Sequence, residues 1–278
     1  MSRALSIFHG QFGRATLYDL DRPFATHAHR EGHLIFFLGG SASNVQVSER
    51  SFPTTAHNAV AVSPWESHGF EPLSVGKSGT YLVLYISPGW FRTIGNAQRN
   101  LRFGVSNLQL TPEIRRSVDD LSAKLSSGQP VPNLEKMLFE LTETCRVSSW
   151  WQNSEQRSGP SGSSAGNPID FRVRKSIRLL SEHTSEVPDL DVVARQSGLS
   201  RPHFYKLFKQ HTGLTPAMYF STLRMERAVS LVASSQCSIT DIAYRLGFSW
   251  QSAFTRFFIS HVGMPPSDYR RVAQILHS

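Results

Sequence analysis

LDVVARQSGLSRPHFYKLFKQHTGLTPAMY, residues 190–219, returns as ITDIAYRLGFSWQSAFTRFFISHVGMPPSDY, residues 239–269. Leu190, Val193, Ala194, Gly198 and Ser200 reappear as Ile239, Ile242, Ala243, Gly247 and Ser249, 49 positions on. Phe204, Lys206, Phe208, Gly213, Pro216 and Tyr219 reappear as Phe254, Arg256, Phe258, Gly263, Pro266 and Tyr269, 50 positions on. The one extra residue falls just after Ser249, at a turn, where an insertion costs least. Repeat arrays need three or more copies to close a core. Two copies mean a duplicated supersecondary unit.

Each copy reads as short helix, tight turn, longer helix. Leu190, Val193 and Ala194 form a helical stripe that Asp189 can cap. Gly198 ends it as a left-handed residue, and Ser200 stands where it can cap the next helix. Phe204 and Phe208 give that helix an inward face at i, i+4. In the second copy Ser238 and Asp241 form a capping box, Gly247 is the stop, and Phe254 and Phe258 repeat the apolar pair. Two helices around a short Gly turn make a helix-turn-helix, whose second helix enters the DNA major groove.

The outward faces decide between DNA contact and an ordinary solvated surface. The first longer helix offers Arg201, Tyr205, Lys206 and Lys209, with no acid from Arg201 to Gly213. The second offers Trp250, Gln251, Ser252, Thr255 and Arg256, with no acid from Ser249 to Ser267. These side chains suit base edges and phosphates, and they recur at matching repeat positions. Residues 217–233 lack Gly and Pro and predict a spacer helix between the two units. A helix that long spans roughly 25 Å. It can hold two recognition helices on one face of B-DNA.

The strings GLSRPHFYKLFKQHTGLTPAMY and IAYRLGFSWQSAFTRFFISHVGMPPSDYR resemble the two halves of the AraC/XylS-type DNA-binding domain. The resemblance covers about residues 171–271. It implies a leading helix, two helix-turn-helix units (about 189–211 and 238–262), a linker helix with Arg224 and Ala228, and a closing helix. Pro202 and Ile259 depart from the family pattern, at a base-reading and a phosphate-contacting position respectively.

The charge is distributed as that reading requires. Residues 1–167 carry 15 Lys+Arg against 13 Asp+Glu, and residues 168–278 carry 14 against 8, so +2 and +6 make the whole +8. Cys145 and Cys237 are far apart and fall on apolar helical phases, which predicts buried thiols and no disulfide framework. No signal-peptide core or membrane-length apolar run occurs, so a soluble cytoplasmic protein is expected. Residues 152–168, QNSEQRSGPSGSSAGNP, read as a flexible linker between a domain at 1–151 and one at 169–278.

The first domain begins as β. Residues 15–20, 33–38, 44–47, 59–63 and 80–86 carry β-branched or aromatic residues broken by turn formers. Many short strands predict a sandwich or small barrel, and the attached domain implies a cupin-like one. Two amphipathic helices follow. They carry Ile114, Val118, Leu121 and Leu125, then Leu134, Met137, Leu138, Leu141 and Cys145, as a pair packed on the barrel or as a dimer interface. The expected class is therefore α+β multidomain: a cupin-like β-barrel with C-terminal helices, then an all-α domain of two helix-turn-helix units.

His27, His29, His33 and His68 cluster in that β region. His27-x-His29 with a distant His resembles a cupin metal site, and imidazoles suit zinc, iron or nickel. The carboxylate and the framing glycines of such a site are not in place, so no metal and no cofactor are expected. These histidines with Trp65 are expected to line a small-molecule effector pocket, with Tyr81 or Tyr85 beside them. No catalytic constellation is visible. The function expected is a sequence-specific regulator, an activator in most of the family, that binds promoter DNA and a small-molecule effector. A homodimer that contacts RNA polymerase and no membrane is expected. The alternative is a metal-dependent cupin enzyme carrying a DNA-binding tail.

Overall fold

A computed structural model describes residues 2–74, 76–95, 100–156, 169–182 and 188–275. The N-terminal half is two stacked sheets. The larger has the order β10 (Asn107–Gln109), β7 (Asn58–Val62), β4 (Gly32–Gly40), β9 (Gly79–Ile86), β2 (Gly13–Leu20), β1 (Arg3–Gly10) and β11 (Ala273–Ile275). The smaller has the order β3 (Phe24–His27), β8 (His68–Pro72), β5 (Ser43–Val47) and β6 (Arg50–Pro53). All five strands expected from sequence are present. The chain changes sheets between β4 and β5 at Gly40, which sits at φ +85° with the Ser78 carbonyl 2.6 Å from where a Cβ would be. Because strands cross between two layers there, the described sheets form a sandwich of jelly-roll type in place of a continuous ring.

Central strands are buried on both faces. Along β9, Tyr81, Val83 and Tyr85 point into the sandwich, while Leu82, Leu84 and Ile86 point the other way. That second face is covered by α1 (Pro88–Ile94), α2 (Pro112–Ser126) and α3 (Leu134–Gln156). Ile114, Val118, Leu121 and Leu125 of α2, and Leu134, Leu138, Leu141 and Cys145 of α3, are buried there. The stripes that could have met a second copy are therefore used within the chain, because the outer sheet face is apolar and needs a cover. α3 also runs through Gln156, so the first five residues of the expected linker are helical. Its remaining positions, 157–168, lie outside the described residues.

The C-terminal half follows the duplication. It comprises α4 (Phe171–Glu182), α5 (Leu190–Gln196), α6 (Arg201–Thr212), α7 (Pro216–Ser234), α8 (Ile239–Arg245), α9 (Gln251–Val262) and α10 (Pro266–Val272). The two turns are closed alike. The amide of Leu199 donates to the Ala194 carbonyl at 3.0 Å, and that of Phe248 to the Ala243 carbonyl at 3.0 Å. Gly198 and Gly247 supply the positive φ, +73° and +74°. Asp189 caps α5, and Ser238 and Asp241 bond each other at the start of α8. Ser200 holds the cap position of α6 without a side-chain bond.

This half is not wholly helical, nor simply tethered. β11 adds in parallel to the edge of β1, pairing Ile7 with Ala273 and His9 with Ile275. Val45, Phe70 and Val83 of the sandwich share one apolar cluster with Met225, Phe254, Phe258 and Tyr269. Charge and apolar patterning within one segment carry no record of such a seam. No described helix is long and apolar enough to cross a membrane.

Candidate DNA interface and effector cleft

Phe204, Phe208, Phe254 and Phe258 are fully buried, which fixes the rotation of α6 and α9. On α6, Arg201, Lys206 and Lys209 are then exposed and Tyr205 is half-buried against Phe204. On α9 and its cap, Trp250, Gln251, Ser252 and Arg256 are exposed and Thr255 is half-buried. Trp250 is the most open large apolar side chain among the described residues of the half, at 69 % exposure. Two of these side chains already have partners. Arg201 Nη1 donates to Asp191 at 2.9 Å, and Gln251 Oε1 accepts from Thr240 Oγ1 at 2.7 Å. Both partners lie on the preceding helix, so each bond ties a recognition helix to its own unit. Sequence reasoning passed over Tyr244, which is 56 % exposed on α8 beside Arg245.

Arg224 of α7 holds the second unit in place. Its guanidinium donates to the Leu246 carbonyl at 2.7 Å and stands 4.0 Å from the Phe248 ring centroid. The expected linker-helix role of this residue is thus a staple across the turn between α8 and α9.

The four histidines meet inside the sandwich. Ring centroids lie 4.7 Å apart for His27 and His29, 4.5 Å for His27 and His68, and 4.6 Å for His33 with each of His29 and His68. All four are buried. Burial, helped by the neighbouring imidazoles, holds His27, His29 and His33 well below the ordinary histidine range. Burial brings His68 down to about 4. The rings are therefore neutral near pH 7. Nitrogens of His27, His29 and His68 lie within 4.8 Å of one another, close enough to share one ion. The space beside His27, His33 and His68 is about 30 Å³, room for a water or an ion.

Trp65 is not in that space. It sits at φ +65° and stacks on Tyr219 of α7 with ring centroids 4.6 Å apart and planes 8° apart. A wider space is the cleft of about 460 Å³ between the sandwich and α7, lined among others by His9, Arg14, His29, Glu31, Glu226 and Val229. Arg14 is 7 % exposed. It donates to the Tyr269 hydroxyl at 2.9 Å and lies 3.6 Å from the Tyr85 ring centroid. Its Nε has no partner, and among the described residues no carboxylate pairs with it.

A family description, helix-turn-helix domain, matches residues 193–272, the stretch that contains both recognition helices. The HTH-type transcriptional activator RhaS of Escherichia coli strain SE11 is 28 % identical over 200 residues, 68 % of this chain and 68 % of that protein. The chain is thus similar to HTH-type transcriptional activators, with the helix-turn-helix family matched over its C-terminal part. The two-part fold is shared with proteins of known structure. An apo variant of ToxT from Vibrio cholerae strain SCE256 superimposes with a TM-score of 0.61 at 16 % identity, over 95 % of this chain and 98 % of that one. Wild-type ToxT of that strain, solved bound to an unsaturated fatty acid, gives 0.57 at 17 % identity over 93 % and 94 %.

Proposed function

We propose that this AraC/XylS-type protein is a transcriptional activator that binds promoter DNA through α6 and α9 and responds to a small organic anion held between its halves. The observation that carries the DNA reading is the matched exposure of Lys206 and Arg256, two residues after the buried Phe204 and Phe254 of each repeat. A cation at the same place on two helices joined by one linker helix suits two successive groove segments. Arg201, Tyr205 and Lys209 extend the first surface, and Trp250, Gln251, Ser252 and Thr255 the second. Activation follows the relatives, which are named activators, and implies contact with RNA polymerase. Pairing of two copies is supported by Val147 and Trp151, both exposed on α3.

The effector reading rests on volume and charge. An organic ligand needs roughly 300 Å³ or more. The cleft at Arg14 offers that, and the space among His27, His33 and His68 does not. A buried guanidinium without a carboxylate is costly, and an anionic ligand would supply the missing charge. Such a ligand would touch His29 and Arg14 on one side and Val229 and Ser230 on the other. It would then favour one arrangement of the halves.

Fluorescence anisotropy with promoter fragments tests this. The full chain should prefer its own operator to random DNA of equal length, and carboxylate or phosphate ligands should shift that affinity. Arg14→Gln should abolish the shift and keep DNA binding. Equal affinity for every fragment would end the DNA reading. An undiminished response in Arg14→Gln would end the anion reading.

A further inference from the structure

We propose that His27, His29 and His68, with His33 as a fourth imidazole, bind one zinc-class divalent ion inside the sandwich, where β3 meets the second recognition helix. The geometry is that of a ligand set. Ring nitrogens of the first three lie within 4.8 Å of one another. A tetrahedral site with Zn–N of about 2.0–2.1 Å puts its nitrogens roughly 3.4 Å apart. Small rotations of the rings bridge that difference.

The tautomers point the same way. His27 Nδ1 donates to the Ala25 carbonyl at 2.6 Å, and His68 Nδ1 donates to the Glu66 carbonyl at 2.9 Å. A carbonyl only accepts, so the proton is on Nδ1 in both rings. Each Nε2 is left with its lone pair for a cation. Backbone carbonyls that fix ligating imidazoles in this way are a regular feature of metal sites. His33 Nε2 is buried and has no hydrogen-bond partner. Its ring lies 4.6 Å from those of His29 and His68, so it is placed to complete the set.

Size and donor type select the occupant. The adjoining cavity of about 30 Å³ admits an ion or a water and excludes an organic molecule. The donors are all imidazole, without a carboxylate in the group. Such a set favours zinc, nickel or cobalt over magnesium or calcium, which prefer oxygen. Polar core histidines normally hold acids or carbonyls with both nitrogens, and here the second nitrogens face one another.

The site also has a place in the architecture. β3 ends at His27 and pairs with β8 at His68. The His27 ring is 5.9 Å from that of His261, near the end of α9. An ion joining His27 to His68 would fix β3 against β8, and β3 carries the Phe24 ring that Gly263 packs against. Ion binding here uses no residue of the exposed faces of α6 and α9, and it shares only His29 with the cleft at Arg14.

The test uses the full chain, without a histidine tag, stripped with chelator and dialysed. Equilibrium dialysis should give one tightly held Zn²⁺ per chain and no tight Mg²⁺. Co²⁺ should give the visible absorption of a four-coordinate nitrogen site. His29→Gln and His68→Gln should weaken Zn²⁺ binding by about 10-fold or more, while exposed His57→Gln leaves it unchanged. If either variant fails to fold, melting of the unaltered chain decides, since Zn²⁺ should raise its Tm and Mg²⁺ should not. No stoichiometric Zn²⁺, no effect on melting, or equal losses in His57→Gln and His68→Gln would overturn the proposal.

Discussion

Tyr219 and Tyr269 are the same residue of the duplicated unit, 50 positions apart, and each docks on the N-terminal half. Tyr219 lays its ring flat on Trp65. Tyr269 places its hydroxyl between Arg14, which donates to it at 2.9 Å, and His9 Nε2 at 2.8 Å. One position has thus become two kinds of anchor, a stacked ring and a buried polar bridge. Tyr269→Phe should cost about 1–3 kcal/mol, because Arg14 keeps its charge and loses an acceptor. Tyr219→Phe keeps the stacked ring and should cost much less. Denaturant melts of the two variants compare them directly, and equal losses would contradict the distinction.

Lys206→Ala and Arg256→Ala should each weaken operator binding by about 1–3 kcal/mol if they read bases. Neither should change melting, since both side chains are exposed. Equal weakening on random DNA would reassign them to phosphates.

Phe254→Ala should behave in the opposite way. Removing a fully buried ring typically costs 3–5 kcal/mol. The apolar cluster around Phe254 spans both halves, so melting of the sandwich should fall with it. Loss of DNA binding at unchanged Tm would refute a core role.

Gly213 and Gly263 are repeat equivalents at φ +77° and +83°. A Cβ at Gly213 would meet open space, and at Gly263 it would collide with the Phe24 ring. Gly213→Ala should therefore cost only the left-handed penalty of about 1–2 kcal/mol. Gly263→Ala should cost more and increase proteolysis between the halves. Equal costs would show that Phe24 moves aside freely.

Glu226 gives the cleft a pH dependence. Burial raises its carboxyl from 4.5 to about 7, with Glu31 adding and Arg30 opposing. The folded state then holds a proton that the unfolded state has released. This contribution is fully present below pH 4.5, falls as pH rises through that window, and is gone above about 7. A tenfold difference in proton affinity between the two states corresponds to about 1.4 kcal/mol. Glu226→Gln should thus melt higher than the unaltered chain above pH 7 and no higher at pH 4. A gain that did not vary with pH would rule the carboxyl out.

Much of this was legible in the sequence. The repeat, its glycine stops and its buried phenylalanines are local, and local rules recovered them. The five strands that were expected carry β-branched or aromatic runs. β3 and β11 are too short for such a run, and FATH and AQI become strands where β8 and β1 offer them an edge. The histidine cluster was visible as a spacing, but its tightness depends on where β4 and β8 lie. Arg14 was invisible as a site. A lone cation on a strand normally faces solvent, and the partners that cover this one, Tyr85 and Tyr269, lie 71 and 255 residues away. Arg201 and Gln251 looked free for DNA because their partners Asp191 and Thr240 sit on another helix.

The parallel pairing of β11 with β1 means that the sheet is begun and finished at opposite stages of synthesis. At about 5–20 residues per second a ribosome needs tens of seconds to travel from one strand to the other. Throughout that interval the nascent sandwich shows an unpaired strand, a template for other chains. Truncated forms that stop before Ala273 would carry that open edge permanently and should aggregate where the full chain does not.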